Sequence, residues 1–103
     1  MKNNVSTWAS HLNVRTKIYF YGSRLEGTNK TESDIDLALE FLDHGFNKTL
    51  AWFDYHEKWQ SELSKAIGTP VHLELYDKEN ESVREYVDRK SVVIFEAPKR
   101  KTD

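Results

Sequence analysis

The segment from residue 35 to 41 constrains the fold of this chain most, because its apolar and polar side chains alternate with period two. In a strand, successive side chains point to opposite faces of the sheet. The two faces are Ile35, Leu37 and Leu39 on one side, and Asp34, Asp36 and Ala38 on the other. The pattern predicts a strand with one face buried in a core and two aspartates at the start of the other face.

The remaining periodicity predicts a sheet with helices packed on it. Apolar residues recur at intervals of three and four over residues 47–67, which predicts a long helix, and Gly68 followed by Thr69 and Pro70 predicts its end. Further strands are expected at 17–21, 71–76 and 91–96, and shorter helices at 5–12 and 82–89. Strands that alternate with helices indicate an α/β or α+β fold. We expect one domain over residues 1–103, with a charged and frayed tail from residue 98 to 103.

Composition narrows the class of protein. The chain has no cysteine, so disulfides and zinc-thiolate sites are excluded and packing alone must hold the fold together. Fifteen Lys and Arg residues against seventeen Asp and Glu residues give a net charge of −2. Domains that bind nucleic acid directly usually have a basic balance, so no direct nucleic-acid binding is expected, and metal ions would have to supply positive charge for any polyphosphate.

Membrane association is not expected either. The longest apolar runs, residues 18–21 and 92–95, are far short of the roughly 20 residues that a membrane span needs. The first apolar residues are interrupted by polar ones, so no signal peptide is legible. A cytoplasmic location is therefore the prediction.

The aspartates at the head of the central strand are the strongest chemical signal. Asp34 and Asp36 point the same way and lie about 6.6 Å apart along a strand. Their carboxylates can converge on a pair of divalent ions about 3.5 to 4 Å apart. The alternative is a solvated polar face on an edge strand, but aspartate is depleted in strands and two on one face repel each other. We therefore favour a metal site.

Gly22 and Ser23 close the first predicted strand. A strand that breaks at glycine into a helix N-terminus offers free backbone N–H groups to a phosphate. The alternative is a turn glycine that is needed only for a backbone with positive φ. The sequence alone leaves both interpretations open.

A third carboxylate has two candidates. Glu74 shares a strand face with His72 and Tyr76, and a neighbouring strand could deliver it beside the aspartates. Asp77 follows the alternating run and is the competitor. The four histidines show no ligand spacing, so surface or packing roles are expected for them rather than metal binding.

These residues together carry a family resemblance. Gly22 and Ser23, ten further residues, and then Asp34-Ile35-Asp36-Leu37 resemble the nucleotidyltransferase signature of the DNA polymerase beta superfamily. The run GSRLEGTNKTESDIDLAL is similar to the minimal nucleotidyltransferases, called MNT proteins, which are small prokaryotic chains. The resemblance implies a small mixed sheet flanked by helices, with two Mg²⁺ ions held by Asp34 and Asp36 and with Glu74 as the third carboxylate.

The same resemblance implies a substrate and a partner. ATP would be bound with its β and γ phosphates against Gly22, Ser23 and adjacent backbone N–H groups. Arg24 and Lys30 are candidate phosphate partners, with exposed, solvated charges as the favoured alternative for each. Minimal nucleotidyltransferases are typically encoded beside an HEPN-domain protein in pairs that resemble toxin–antitoxin systems. In such pairs the nucleotidyltransferase can transfer AMP from ATP to a tyrosine of the toxin, which is a ribonuclease.

Two functions remain open at this point. One is an enzyme that adenylylates an HEPN-type toxin, and the other is a non-catalytic antitoxin that occludes the toxin. The aspartate pair favours the enzyme, since a purely steric role gives no reason to keep two like charges on one strand face. The stripe of Trp52, Tyr55 and Trp59 is predicted to pack against the sheet, with a partner-binding face as the alternative.

Overall fold

The computed structural model of the protein describes residues 2–22, 35–45 and 47–98. Within these residues the elements are α1 (Lys2–Ser10), β1 (Thr16–Tyr21), β2 (Ile35–Phe41), α2 (Lys48–Ile67), β3 (Val71–Leu75), α3 (Glu81–Arg89) and β4 (Val92–Glu96). The strands form one sheet of order β3-β2-β1-β4. Strand β1 is antiparallel to β2 and β4, and β2 is parallel to β3, so the predicted small mixed sheet with flanking helices is confirmed.

One face of the sheet forms the main core with α1 and α2. The largest fully buried apolar side chains on this side are Val5, Ile18, Leu37, Leu39 and Leu63. Ile35 also belongs to this core, so the strand face predicted from the alternation is confirmed.

The long helix α2 begins and ends where its sequence predicts. Asn47 precedes it, and the Asn47 side chain accepts a hydrogen bond of 3.0 Å from the Leu50 N–H. Such a cap satisfies one of the backbone N–H groups that a helix leaves without partners. Gly68 ends the helix with φ 82°, and its N–H donates to the Ser64 carbonyl.

The aromatic stripe on α2 divides between core and surface. Trp59 is buried and its ring lies 6.0 Å from that of Phe41, whereas Tyr55 is 47% exposed and stacks on Trp59. Trp52 is partly buried and packs against the core. The core interpretation is therefore confirmed for Trp59 and Trp52, and Tyr55 lies at the rim.

Helix α2 also covers the outer edge of β3. The Val71 N–H donates to Ser64 Oγ, and the Leu73 N–H donates to Gln60 Oε1, each over 2.9 Å. These bonds satisfy edge N–H groups that would otherwise be open to another strand. They fix β3, and with it the residues of β3 that face away from the core.

The first helix begins and ends earlier than predicted. It ends at Ser10 because the N–H groups of His11 and Leu12 then donate to carbonyls three residues back, in a turn. Within the predicted tail, the Pro98 carbonyl accepts a hydrogen bond of 2.9 Å from Arg15 Nε, and the fraying of the tail stays a prediction. The rest of that tail, residues 99–103, lies outside the described residues. Among the helices that the structure describes, none combines the length and apolar character required to cross a membrane.

Candidate functional site

The second face of the sheet carries an open cleft of about 420 Å³. Its floor is formed by the end of β1, the start of β2 and by β3, and α3 flanks it. The lining residues are Tyr21, Gly22, Asp36, His72, Glu74, Asn80, Ser82, Val83 and Tyr86. The register explains the grouping: Asp36 pairs with Tyr21 on one side and with His72 on the other, and Glu74 follows two residues after His72.

Asp36 and Glu74 both reach this cleft, and His72 lies between them. The Nε2 atom of His72 is 2.7 Å from Oε1 of Glu74, and its Nδ1 atom is 3.8 Å from Oδ1 of Asp36. The exposed fractions of the side chains are 27% for Asp36, 34% for Glu74 and 56% for His72. The carboxylates are thus accessible from solvent while remaining anchored on adjacent strands.

Gly22 makes room for the Asp36 carboxylate. Its φ is 93°, in the region that side chains of L-residues rarely adopt. A Cβ atom added at Gly22 would overlap Oδ2 of Asp36 and would lie 2.9 Å from both Cβ and Cγ of Asp36. The glycine is therefore required by the turn and by the close approach of Asp36, which agrees with the turn interpretation and leaves phosphate binding a prediction.

The pKa of Tyr21 reflects the burial and the negative charge of the cleft. Burial raises the pKa of its phenol far above the usual value, and the negative charges of Asp36 and Glu74 raise this pKa further. The ring of Tyr21 contacts that of Tyr86 edge-on at 5.7 Å. At neutral pH the phenol is uncharged, so the cleft is dominated by the two carboxylates and favours a cation.

The donor types in the cleft fit magnesium, which takes oxygen ligands and is usually bound by one or two carboxylates together with water and substrate phosphates. Asp36 and Glu74 supply carboxylate oxygens, and the overlap at Gly22 shows that a larger residue there would displace one of them. Within residues 2–22, 35–45 and 47–98, no group of three or more His, Cys, Asp or Glu side chains could hold a metal ion by itself. A complete site therefore needs a further ligand, and the predicted one, Asp34, lies outside the described residues.

Other predicted residues are also outside the described part of the chain. Ser23 and Arg24, predicted to bind nucleotide phosphates, belong to this group, as does Lys30. Their roles stay predictions.

The structure separates the two candidates for the third carboxylate. Glu74 lines the cleft with Asp36, whereas Asp77 lines a different cleft beside Lys78 and Arg84. The geometry thus favours Glu74, although its chemical role stays a prediction.

Sequence reasoning did not assign His72, Tyr21 or the α3 residues to the site. The available signal for His72 was its position two residues before Glu74, on the same strand face. Its position opposite Asp36 depends on the register between β2 and β3, which the sequence does not specify locally.

Comparison with known proteins gives a family and a fold. The family model described as polymerase beta, nucleotidyltransferase matches residues 3–100. No curated protein matches the chain at a significant level.

Solved structures of similar fold come from toxin–antitoxin systems. A toxin–antitoxin structure with AMP-PNP matches at a TM-score of 0.69 and 20% identity, covering 93% of this chain and 73% of the other. A mutant of the toxin–antitoxin MntA-HpeT matches at a TM-score of 0.69 and 17% identity, covering 94% and 74%. A complex of tri-AMPylated Shewanella oneidensis HEPN toxin with MNT antitoxin matches at 0.61 and 16% identity, covering 93% and 70%. At these identities the structures establish the shared fold.

Proposed function

The chain belongs to the polymerase beta nucleotidyltransferase family, and from this premise we propose that it is an antitoxin that transfers AMP from ATP to a tyrosine of an HEPN-type toxin. The observation that carries the proposal is the placement of Asp36 and Glu74 in one open cleft beside Gly22. A family member that had lost the reaction would have no need to keep two carboxylates together at this end of the sheet.

The similar structures support the acceptor and the nucleotide. One contains AMP-PNP, and another contains an HEPN toxin that is AMPylated and bound to an MNT antitoxin. Transfer of these properties to the present chain is part of the proposal. A two-protein system also agrees with the open cleft, because a partner could form the wall that the described residues do not provide.

In the proposed reaction, the tyrosine oxygen attacks the α-phosphorus of ATP, the bond to the β-phosphate oxygen breaks, and pyrophosphate leaves. Asp34, Asp36 and Glu74 would hold two Mg²⁺ ions, which when bound stabilise negative charge on the attacking and leaving oxygens. Alternatively to holding a metal ion, Glu74 would accept the phenolic proton. Ser23, Arg24 and backbone N–H groups near Gly22 would orient the β and γ phosphates.

A non-catalytic antitoxin is the second candidate. Three large apolar or aromatic side chains on α2 are exposed: Leu50 by 57%, Phe53 by 75% and Tyr55 by 47%. Such a surface can bind a partner without any chemistry in the cleft. In this case the protein would inhibit the toxin by occlusion alone.

Intact-mass spectrometry distinguishes the two functions. The HEPN-type protein encoded by the neighbouring gene is incubated with ATP, magnesium and the wild-type chain, with the Asp36→Asn variant as the control. We expect one or more AMP units on the partner with the wild type and none with the variant. An unchanged partner mass, together with suppression of its ribonuclease activity by stoichiometric Asp36→Asn protein, would establish the binding antitoxin instead.

A further inference from the structure

The Glu74 side chain needs a partner to hold its carboxylate in the cleft. Glu74 lies on β3, at the edge of the sheet, and pairs in register with Ala38, whose small side chain does not restrain it. A glutamate side chain has several rotatable bonds, so fixing it costs conformational entropy. The backbone of β3 therefore sets the direction of Glu74 but not the position of its carboxylate.

His72 supplies that restraint. It lies two residues before Glu74 on the same strand face, and its Nε2 atom is at hydrogen-bond distance, 2.7 Å, from Oε1 of Glu74. Within the described residues, Glu74 has no other hydrogen bond or ion pair. Because His72 pairs in register with Asp36, this contact draws the Glu74 carboxylate along β3 toward the position that lies opposite Asp36.

Asp36 does not depend on His72 in the same way. The distance of 3.8 Å from Nδ1 of His72 to Oδ1 of Asp36 is too long for a hydrogen bond. Asp36 has a short side chain on an inner strand, and it packs directly against Gly22. The main effect of His72 is therefore on Glu74.

A role for His72 as a metal ligand fits the geometry less well. Magnesium takes oxygen ligands, and the Nε2 atom of His72 already contacts Glu74. In the part of the chain that the structure describes, His72, Asp36 and Glu74 do not form a group that could hold a metal ion together.

We propose that His72 is a positioning residue that orients the Glu74 carboxylate toward Asp36, an inference that rests on the proposed nucleotidyl transfer. Glu74 would then reach its reactive position without being reordered in each catalytic cycle. The expected loss on removing such a supporting partner is about 10- to 100-fold in activity or metal affinity.

Two conservative substitutions of His72 test the roles of its two ring nitrogens separately. The amide nitrogen of glutamine can take the place of Nε2 and contact Glu74, whereas that of asparagine lies nearer the place of Nδ1. We expect His72→Gln to retain most of the kcat for AMP transfer, and His72→Asn and His72→Ala to lose about 10- to 100-fold, with little change in KM for ATP. Equal kcat values for the Gln and Asn variants would overturn the inference.

A double-mutant cycle tests whether His72 acts through Glu74. We expect His72→Ala to change kcat by less than about twofold when Glu74→Gln is already present, because residues that act as a unit are not additive. A loss as large in that background as in the wild type would also overturn the proposal.

Magnesium binding gives a readout that does not require transfer. The melting midpoint of each variant is measured at increasing magnesium concentration, with the magnesium-free midpoint as the control for folding. We expect the midpoints of the wild type and His72→Gln to rise at lower magnesium concentration than those of His72→Asn and His72→Ala. No difference among them would overturn the His72 inference, whereas normal magnesium binding by a wild type that transfers no AMP would overturn only the proposed function.

Discussion

The two faces of strand β2 perform different tasks within seven residues. Leu37 and Leu39 are fully buried on the face covered by α1 and α2, whereas Asp36 on the other face opens into the cleft. Period-two alternation makes this division possible, because adjacent residues are only one peptide apart but belong to different environments. One strand can therefore stabilise the fold with its odd-numbered side chains and present a charged group with an even-numbered one.

Hydrogen-bonded tyrosines cover part of the cleft face. On the cleft face, two tyrosine hydroxyls donate to carboxylates: Tyr19 to Glu40 over 2.6 Å and Tyr76 to Asp88 over 2.7 Å. The rings of Tyr19 and Tyr76 stack at 5.0 Å. This face is thus partly closed by neutral phenols, and Asp36 and Glu74 remain at its open end.

Truncation of Leu37, on the core face of β2, should have the largest effect on stability. We expect Leu37→Ala to lower the free energy of unfolding by about 2–5 kcal/mol, because it removes buried contacts and leaves a cavity. Leu37→Met, which nearly conserves volume, should cost less than about 1.5 kcal/mol. Urea denaturation of the three proteins checks this. A loss below 1 kcal/mol for Leu37→Ala would mean that this face is not the main source of stability.

A second test compares two carboxylates that the structure places in different clefts. We expect Glu74→Gln to reduce AMP transfer by about 100-fold or more, the scale of a lost general base, and Asp77→Asn to change it little. Transfer rates at saturating magnesium decide the matter. Equal or reversed losses would assign the third carboxylate to Asp77.

Gly22 meets two requirements at once, because the turn needs a positive φ and the Asp36 carboxylate needs the space of a missing Cβ. Gly22→Ala should cost about 1–2 kcal/mol of stability for the positive φ and should also reduce transfer, because its Cβ overlaps the Asp36 carboxylate. Gly45→Ala is the matched control, because Gly45 has φ 86° and nothing within 4 Å of an added Cβ. Both stability and transfer are measured. If the two variants transfer AMP equally well, Gly22 does not position Asp36.

Alkaline pH should lower the free energy of unfolding through a tyrosine of the cleft face, and we expect this change to be the smallest of those described. The hydrogen bond to Asp88, with burial, raises the pKa of Tyr76 to about 12 from its usual value of about 10. A raised folded pKa gives stability that is present below pH 10 and is lost as the pH rises to about 12. Tyr76→Phe should lower the free energy of unfolding by about 0.5 kcal/mol at neutral pH. In denaturation experiments at increasing pH, the free energy of unfolding of this variant should fall less steeply over that range than the wild-type value.

Tyr55→Phe, on α2 at the other side of the sheet, is the control for this measurement. It removes a tyrosine hydroxyl that is not part of the Tyr76–Asp88 pair. If the free energy of unfolding of Tyr76→Phe falls with alkaline pH as steeply as that of the wild type, the Tyr76–Asp88 pair does not contribute to the pH dependence of stability.

The sequence predicts those parts of the fold that depend on local periodicity. The two faces of β2, the short helix predicted at residues 82–89, and the end of α2 at Gly68 all follow from spacing and turn chemistry. The position of His72 opposite Asp36 does not follow from local spacing, because it depends on pairing Asp36 with a strand more than 30 residues away. The packing of Gly22 against Asp36 is likewise a tertiary contact.

The role of Asp36 as a site residue rather than a structural one is tested by the melting midpoint of Asp36→Asn without magnesium, measured beside its AMP transfer. We expect transfer to be abolished while the midpoint stays unchanged or rises slightly, because removing one charge relieves repulsion with Glu74. A fall of about 4–8 °C or more, equivalent to about 1 kcal/mol, would contradict the account, because Asp36 would then be holding the fold together.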